Sequence, residues 1–382
     1  MTEFLAGLRV LDLSQYIPGP MATLYLADFG ADVLKIEPPA GDQMQQLGPR
    51  DAAGKPTFYH ALNSGKSVQR MNLKDPQRRK AFLDLVSDAD VVVEGFRPGV
   101  MERLGLDYSV LSAVNPGIIL CSISGYGAGS SAAAKAGHDA NYLAMSGVMS
   151  RNGRDTPMYY DPPIADMAGA LFAVTAILAA LHGRQRSGKG CVIDLALADT
   201  LMPLQMMQVA DFGESGHVPA AGQTYLNGGA AYYNVYATAD SRHVVLGAVE
   251  PKFWANFCAA AERPDLIPRH QDSIPQTELG KEIAEIFAAM TSAEALSRFG
   301  NVDCCFTLVQ DLSEAMAETQ IKDRQLVRQN AEGRLQALFP VRIDGAAPEV
   351  RSELKDLGSG DRCETGSQIT DNTDPQHPHP WT

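Results

Sequence analysis

The sequence predicts an α/β fold: a Rossmann-like parallel sheet in a large domain, followed by a smaller α+β domain. Between residues 8 and 197, short apolar runs typical of buried strands alternate with helical patterns. A Gly-rich stretch then separates this region from a hairpin pattern and further helices. The length of 382 residues is also more than one hydrophobic core usually fills, which favours two domains.

The elements of the large domain begin with a βαβ unit. A proline at the first turn and Gly30 after the last turn are typical of helix ends, and they bound the first helix at residues 20–29. The residues after the first strand, QYIPGP, lack the GxGxxG pattern of dinucleotide-binding folds, which argues against NAD binding.

Strands are expected at residues 8–14, 31–37, 91–96, 117–124 and 191–197. Further helices are expected at residues 75–86, 164–184 and 199–211, and the methionines of the last are expected to serve packing rather than cofactor contact.

The second half of the chain sets the domain boundaries. Residues 1–212 are expected to form the first part of the large domain and residues 213–229 a linker. Residues 230–328 should form the small domain, with a hairpin through Asp240-Ser241 and helices at 251–261, 276–290 and 292–299. Residues 329–382 are expected to return to the large domain and to end in a polar tail.

Composition excludes several classes of function. The net charge of -13 argues against a nucleic-acid or anionic-membrane surface, so a polyanionic ligand would need a local basic cluster. The apolar stretch at residues 164–181 contains Asp166, which favours a buried helix over a membrane span. Six cysteines without CxxC spacing, and no signal peptide in the sequence, predict a reduced, cytoplasmic protein.

Three residues are candidates for acid–base chemistry. His138 precedes a helical pattern, where free N–H groups could stabilise an oxyanion while the imidazole moves a proton. Asp166 starts an apolar helix, where burial would make it a base, an acid or a carboxylate nucleophile. Glu250 ends an apolar strand and could orient an imidazole. A core histidine and two helix-capping acids remain the structural alternatives.

The basic residues include candidates for a phosphate-bearing ligand. Arg97 follows a buried strand, at the carboxyl end where α/β sheets bind ligands. The other candidates for this cluster are Lys35, Arg50, Lys66, Arg70 and Arg103. The sequence has no metal-ligand spacing, P-loop or GxSxG motif, so no metal site is expected.

Several blocks of the sequence resemble the family III CoA-transferase superfamily, and within it the α-methylacyl-CoA racemases. These blocks are LAGLRVLDLSQYIPGPMATLYLADFGADVLKIEPPAGD, ALNSGKSVQRMNLKDP, VVVEGFRPGVMERLGLDY and SGKGCVIDLALADTLM. GHDANYLAMSG resembles the racemase block, and NGGAAYY stands where many transferases have a GGGGQ-type flap. The sequence is therefore more similar to the racemase branch than to the transferases.

The resemblance implies a role for each candidate residue. In racemases the residues matching His138 and Asp166 are the two α-carbon bases, and in transferases the aspartate is the nucleophile. Asp139 is implied to contribute a backbone N–H near the thioester oxygen. Glu250 is implied to support the histidine from the partner subunit of an interlocked homodimer. The expected function is racemisation of 2-methyl-branched acyl-CoA, with CoA transfer or non-catalytic CoA binding as alternatives and no cofactor beyond the substrate's CoA.

Overall fold

The structure, a computed structural model, describes residues 3–153 and 156–359. The strands are β1 Arg9–Leu13, β2 Asp32–Glu37, β3 Ser67–Arg70, β4 Val91–Glu94, β5 Ile119–Ser124, β6 Val192–Ala196, β7 Tyr233–Ala237, β8 His243–Gly247, β9 Phe306–Leu308, β10 Val327–Gln329, β11 Leu335–Ala337 and β12 Lys355–Ser359. The helices are α1 Pro18–Asp28, α2 Thr57–Asn63, α3 Pro76–Val86, α4 Val100–Leu104, α5 Tyr108–Val114, α6 Asp139–Ser146, α7 Val148–Arg151, α8 Ile164–Ser187, α9 Leu201–Leu204, α10 Met206–Ser215, α11 Pro251–Ala260, α12 Thr277–Ala288, α13 Ser292–Phe299, α14 Leu312–Ala317 and α15 Thr319–Arg324. Two 3-10 helices lie at Gln43–Gln46 and Pro264–Gln271.

The large sheet has seven strands in the order β12-β3-β2-β1-β4-β5-β6, and all neighbouring strands are parallel. The predicted α/β class with a parallel sheet is therefore confirmed. The chain adds strands outward from β1 on one side and then restarts at β4 on the other. This order leaves a topological switch point between β1 and β4, where such sheets usually bind ligands at the strand carboxyl ends.

Helices α1 and α8 cover one face of this sheet and pack against each other. The start of α1 follows from Pro18 and Pro20, because proline suits the first helical turn, where its missing N–H costs no hydrogen bond. Helix α8 is the described helix that is long and apolar enough to cross a membrane. Its packing against α1, β5 and β6 supports the expectation of a core helix.

A second, smaller sheet is antiparallel and has its own hydrophobic core. Strands β7, β8 and β9 pair in that order, and β7 and β8 form a hairpin whose turn includes Ser241 at a φ of 61°. Aromatic side chains from α11, α12 and α13 fill this core, with Trp254, Phe257 and Phe287 fully buried. The exact domain boundaries stay a prediction, but the two cores lie on the two sides of the Gly-rich segment.

The segment after the small sheet returns to the large one. Strand β12 pairs with β3 and becomes the edge of the seven-stranded sheet. Just before it, Arg351 donates two hydrogen bonds of 2.6 Å to the Asp28 carboxylate at the end of α1. Both side chains are almost fully buried. This ion pair attaches the returning segment to the large domain.

Two local expectations were wrong. The helix expected at residues 199–211 is two helices, α9 and α10, divided at Gln205. The side chains of Met202, Met206 and Met207 are more than half exposed, so they do not pack inside this chain. The polar segment from residue 360 onward lies outside the described residues.

Candidate active site

A cleft of about 410 Å³ opens at the switch point of the large sheet. Its walls come from the loops after β1, β4 and β5, and from the first residues of α6 and α8. The volume falls in the range of small-molecule sites, and the position is where α/β sheets bind ligands. Two of the predicted acid–base residues, His138 and Asp166, both line this cleft.

His138 is the N-cap residue of α6. Its backbone N–H donates to the Asn141 side chain at 3.0 Å, and its carbonyl accepts from Asn141 N at 2.8 Å. These bonds fix the extended backbone of His138 at the start of the helix. The residue is exposed, so it is not the core histidine of the structural alternative. An exposed imidazole at a cleft wall is accessible to a substrate.

Asp166 lies in the first turn of α8, and Asp139 of α6 contacts the same turn. Asp139 Oδ1 accepts hydrogen bonds from Ala165 N at 2.7 Å and from Asp166 N at 3.2 Å. Burial, with a smaller contribution from the negative charge of Asp139, raises the pKa of Asp166 to about 7. Burial also raises the pKa of Asp139. Asp139 is therefore the capping acid of α8, while Asp166 is free to carry a proton.

Lys35 and Lys66 do not lie in the cleft. Both are fully buried, and each binds groups inside the protein rather than a ligand. Lys35 Nζ contacts Asp42 at 2.9 Å and donates to the Ser14 carbonyl, while Lys66 Nζ contacts Asp12 at 3.2 Å. Burial alone would raise the pKa of Asp12, but Lys66 and Lys35 lower it to about 2. In this structure the two lysines hold the loop after β1 and offer no free ammonium group to CoA.

The other predicted residues lie in three different places. Arg97 is exposed in the loop after β4 and lines the cleft, as its sequence position implied. Arg50 is exposed but donates to the carbonyls of Gly54 and Gln45, and it does not line the cleft. Glu250 is exposed at the N-terminus of α11 in the small domain, and within this chain it does not line the cleft.

The cleft also contains residues that the sequence reasoning did not single out. Lys135 supplies a cation from the Gly- and Ala-rich loop between β5 and α6. Its signal in the sequence is that it is the lone charge in a run of small residues just before His138. Tyr142 lines the cleft from α6, although its apolar spacing indicated only core packing.

The arrangement combines a carboxyl group that titrates near neutrality, an accessible imidazole and two cations around one cleft. Such a site suits proton transfer on a substrate that carries negative charge. In residues 3–153 and 156–359, no group of three or more His, Cys, Asp or Glu side chains could hold a metal ion. The fold and the site together define a class of α/β proteins whose cleft at the switch point suits acid–base or carboxylate-nucleophile chemistry.

Comparisons with known proteins identify the family within that class. The model of CoA-transferase family III matches residues 5–358, so the chain belongs to this family. It is 35% identical over 324 residues to the α-methylacyl-CoA racemase of Homo sapiens, covering 84% of this chain and 81% of the relative. It is 33% identical over 338 residues to the succinyl-CoA:mesaconate CoA-transferase of Haloarcula marismortui, covering 85% and 84%.

The crystal structure of a CaiB/BaiF family protein from Brucella suis has a TM-score of 0.79 against this chain. The two chains are 27% identical, and the match covers 92% of this chain and 95% of the other. The predicted family and fold are confirmed by these findings. The chain is a member of an enzyme family. Its sequence identity to a racemase of that family is similar to its identity to a CoA-transferase.

Proposed function

We propose that this protein racemises 2-methyl-branched acyl-CoA thioesters by removing and returning the α-proton. The observation that carries the proposal is that His138 and Asp166 line the same cleft. Inversion at a carbon next to a thioester needs one group to take a proton from one face of the planar enolate. A second group must deliver a proton to the other face. An imidazole and a carboxyl group form such a pair.

The raised pKa of Asp166 supports this assignment. At a pKa of about 7, the carboxyl group is protonated and ionised in comparable amounts at neutral pH. Its ionised form removes the α-proton of one enantiomer, and its protonated form returns a proton when the reaction runs in the opposite direction. A racemase needs both forms, because the two groups exchange roles between the two directions.

The cleft walls supply the remaining functions in this proposal. The backbone N–H of Asp139, at the N-terminus of α6, would stabilise the negative charge that forms on the thioester oxygen. Arg97 and Lys135 would contact the negatively charged CoA part of the substrate. The reaction uses no cofactor besides that CoA, because the enolate forms and collapses by proton transfer alone.

A homodimer would complete the site. Glu250 is the N-cap residue of α11 in the small domain, and the cleft of the same chain does not include it. Helix α10 also exposes an apolar face, formed by Met206, Met207, Val209 and Phe212. A second copy of the chain would cover such a surface and would bring its Glu250 to His138.

Deuterium incorporation tests the proposal directly. The protein is incubated with one enantiomer of a 2-methylacyl-CoA in deuterated water, without any free carboxylic acid. We expect deuterium at the α-carbon together with inversion at that carbon. Recovery of unlabelled, uninverted substrate from folded protein would refute racemisation.

CoA transfer is the second candidate, because transferase relatives match this chain as well as racemases do. Here the Asp166 carboxylate would attack the thioester carbonyl, expel CoA as the thiolate and form an acyl-aspartyl anhydride. Hydroxylamine would trap that anhydride, and a free carboxylate would accept CoA. Mass spectrometry that finds the acyl group on Asp166, together with CoA transfer, would decide for the transferase.

We also propose that the enzyme works in a reducing compartment such as the cytoplasm, free of nucleic acid or membrane partners. The five described cysteines are all free, and Cys121, Cys258 and Cys304 are buried as small apolar side chains.

A further inference from the structure

A tyrosine of α6 packs against both ends of the loop that carries the chain from β5 to His138. This loop runs from Gly125 to Gly137. A Cβ atom at Gly125 would lie 2.5 Å from Tyr142 Oη, and one at Gly137 would lie 2.9 Å from Tyr142 Cε1. Contacts this short would force a shift, and at Gly137 the hydroxyl of Tyr126 would lie closer still, at 2.7 Å. The side chain of Tyr142 therefore occupies space beside both glycines, and it shares that role with Tyr126 at Gly137. Tyr142 therefore packs between Gly125 and Gly137 and limits how far the two ends of the loop can move relative to each other.

The hydroxyl of Tyr142 adds a directional contact to this packing. It donates a hydrogen bond of 2.7 Å to the carbonyl of Gly137, the residue immediately before His138. Burial, with the nearby charge of Asp166, raises the pKa of Tyr142 to about 12, so the hydroxyl keeps its proton at neutral pH. The peptide that leads into His138 is thus tied to the Tyr142 side chain.

Tyr142 is itself fixed by the core of the large domain. Its side chain is 4% exposed, and its ring lies edge-on against Tyr126 with 5.3 Å between the ring centroids. The Asn141 contacts of His138, in contrast, stay within one turn of α6 and fix only the local backbone. Tyr142 N also donates to the His138 carbonyl at 3.3 Å, and Asp139 binds the start of α8. The Tyr142 hydroxyl adds a third link, from the buried core cluster to the peptide that precedes His138.

We propose that Tyr142 is a positioning residue that sets where the His138 imidazole stands relative to the substrate α-carbon. The inference rests on the proposed racemase function and assigns Tyr142 no contact with the reacting atoms. Proton transfer depends steeply on donor–acceptor geometry, and a displacement of about 1 Å can lower a rate roughly a hundredfold. Loss of the Gly137 bond should therefore affect the proton transfer at His138 more than the one at Asp166.

The test is Tyr142→Phe, which keeps the ring and removes the hydroxyl. Exchange of the α-proton with solvent deuterium is measured separately from each enantiomer of a 2-methylacyl-CoA. The variant Asp166→Ala shows which enantiomer, and so which face of the enolate, is served by His138. Exchange that survives in that variant uses His138. We expect Tyr142→Phe to slow exchange on the His138 face about tenfold or more, and to change the Asp166 face less than about threefold. KM should remain near the wild-type value, since the cleft walls are retained.

Tyr236→Phe is the matched control for stability. Tyr236 is also buried, and its hydroxyl donates to a backbone carbonyl, that of Ala231 in the small domain. This variant should show a similar loss of thermal stability and unchanged exchange on both faces. Equal slowing of both faces in Tyr142→Phe, or slowing of neither, would overturn the positioning role. A wild-type protein that exchanges no α-proton would refute the racemase itself, and the role of Tyr142 with it.

Discussion

The negative charge of Asp139 can be removed without removing the hydrogen bonds that its carboxylate accepts. In Asp139→Asn, the side-chain carbonyl oxygen can still accept from the N–H groups of Ala165 and Asp166, which now bind Asp139 Oδ1. The start of α8 should keep its position. The Asp139 charge is the second cause of the raised pKa of Asp166, after burial. Its removal should lower that pKa, because the ionised Asp166 loses a repulsive neighbour.

Coulomb's law gives the order of magnitude of this effect. As an illustration, two unit charges about 6 Å apart interact by roughly 3 kcal/mol at an effective dielectric constant of about 20. Solvent in the open cleft screens the repulsion between the two carboxylates. The screened repulsion is roughly 1.4 kcal/mol, which corresponds to about one pKa unit. The burial of Asp166 is unchanged in the variant, so its pKa should fall from about 7 but stay above the ordinary aspartate value.

The assay is the pH dependence of kcat/KM for the enantiomer that Asp166 deprotonates. In the wild-type protein, this quantity should rise with pH through about 7, because the ionised carboxylate is the base. In Asp139→Asn, the rise should occur about one pH unit lower. The shift is toward lower pH because removal of the Asp139 charge stabilises the ionised form of Asp166. The carboxylate is then present at a lower pH than in the wild type.

The control variant is Asp311→Asn. Asp311 also caps a helix, by accepting from the N–H of Glu314 at 2.9 Å, but it does not line the cleft. Its pH profile should match the wild type. The reasoning fails if the Asp139→Asn profile is unshifted or moves to higher pH in a variant with wild-type circular dichroism.

Three further predictions concern the site, the assembly and the fold. His138→Ala and Asp166→Ala should each abolish racemisation with an unchanged circular dichroism spectrum, and near wild-type inversion in either would contradict the two-base scheme. Co-expression of His138→Ala with Glu250→Ala chains should restore activity in mixed dimers, whereas an active monomer by light scattering would exclude a shared site. Asp28→Asn should lower the free energy of unfolding by about 3 kcal/mol in urea, because it leaves the buried Arg351 without its charged partner; a loss below about 0.5 kcal/mol would show that the pair is not needed.

Local sequence patterns determined the class of the fold and the order of most elements. The apolar runs of β1, β2, β4 and β5 are buried on both faces of the sheet, so their composition alone marks them. The same kind of pattern predicted Arg97 and His138 as site residues, because strand ends and helix starts can be recognised in the sequence. The sequence also separated the large and small sheets through the Gly-rich stretch between them.

Tertiary structure decided what no local pattern records. Strands β3 and β12 are short and polar, and they are strands because they pair at the edge of the large sheet. Lys35 and Lys66 carry the charge of ligand-binding residues, but folding buries them and pairs them with Asp42 and Asp12. The pKa of Asp166 depends on burial and on Asp139, 27 residues away in the chain. Burial and charge proximity are properties of the packed chain, and therefore only the folded structure determines which ionisable side chains remain free for chemistry.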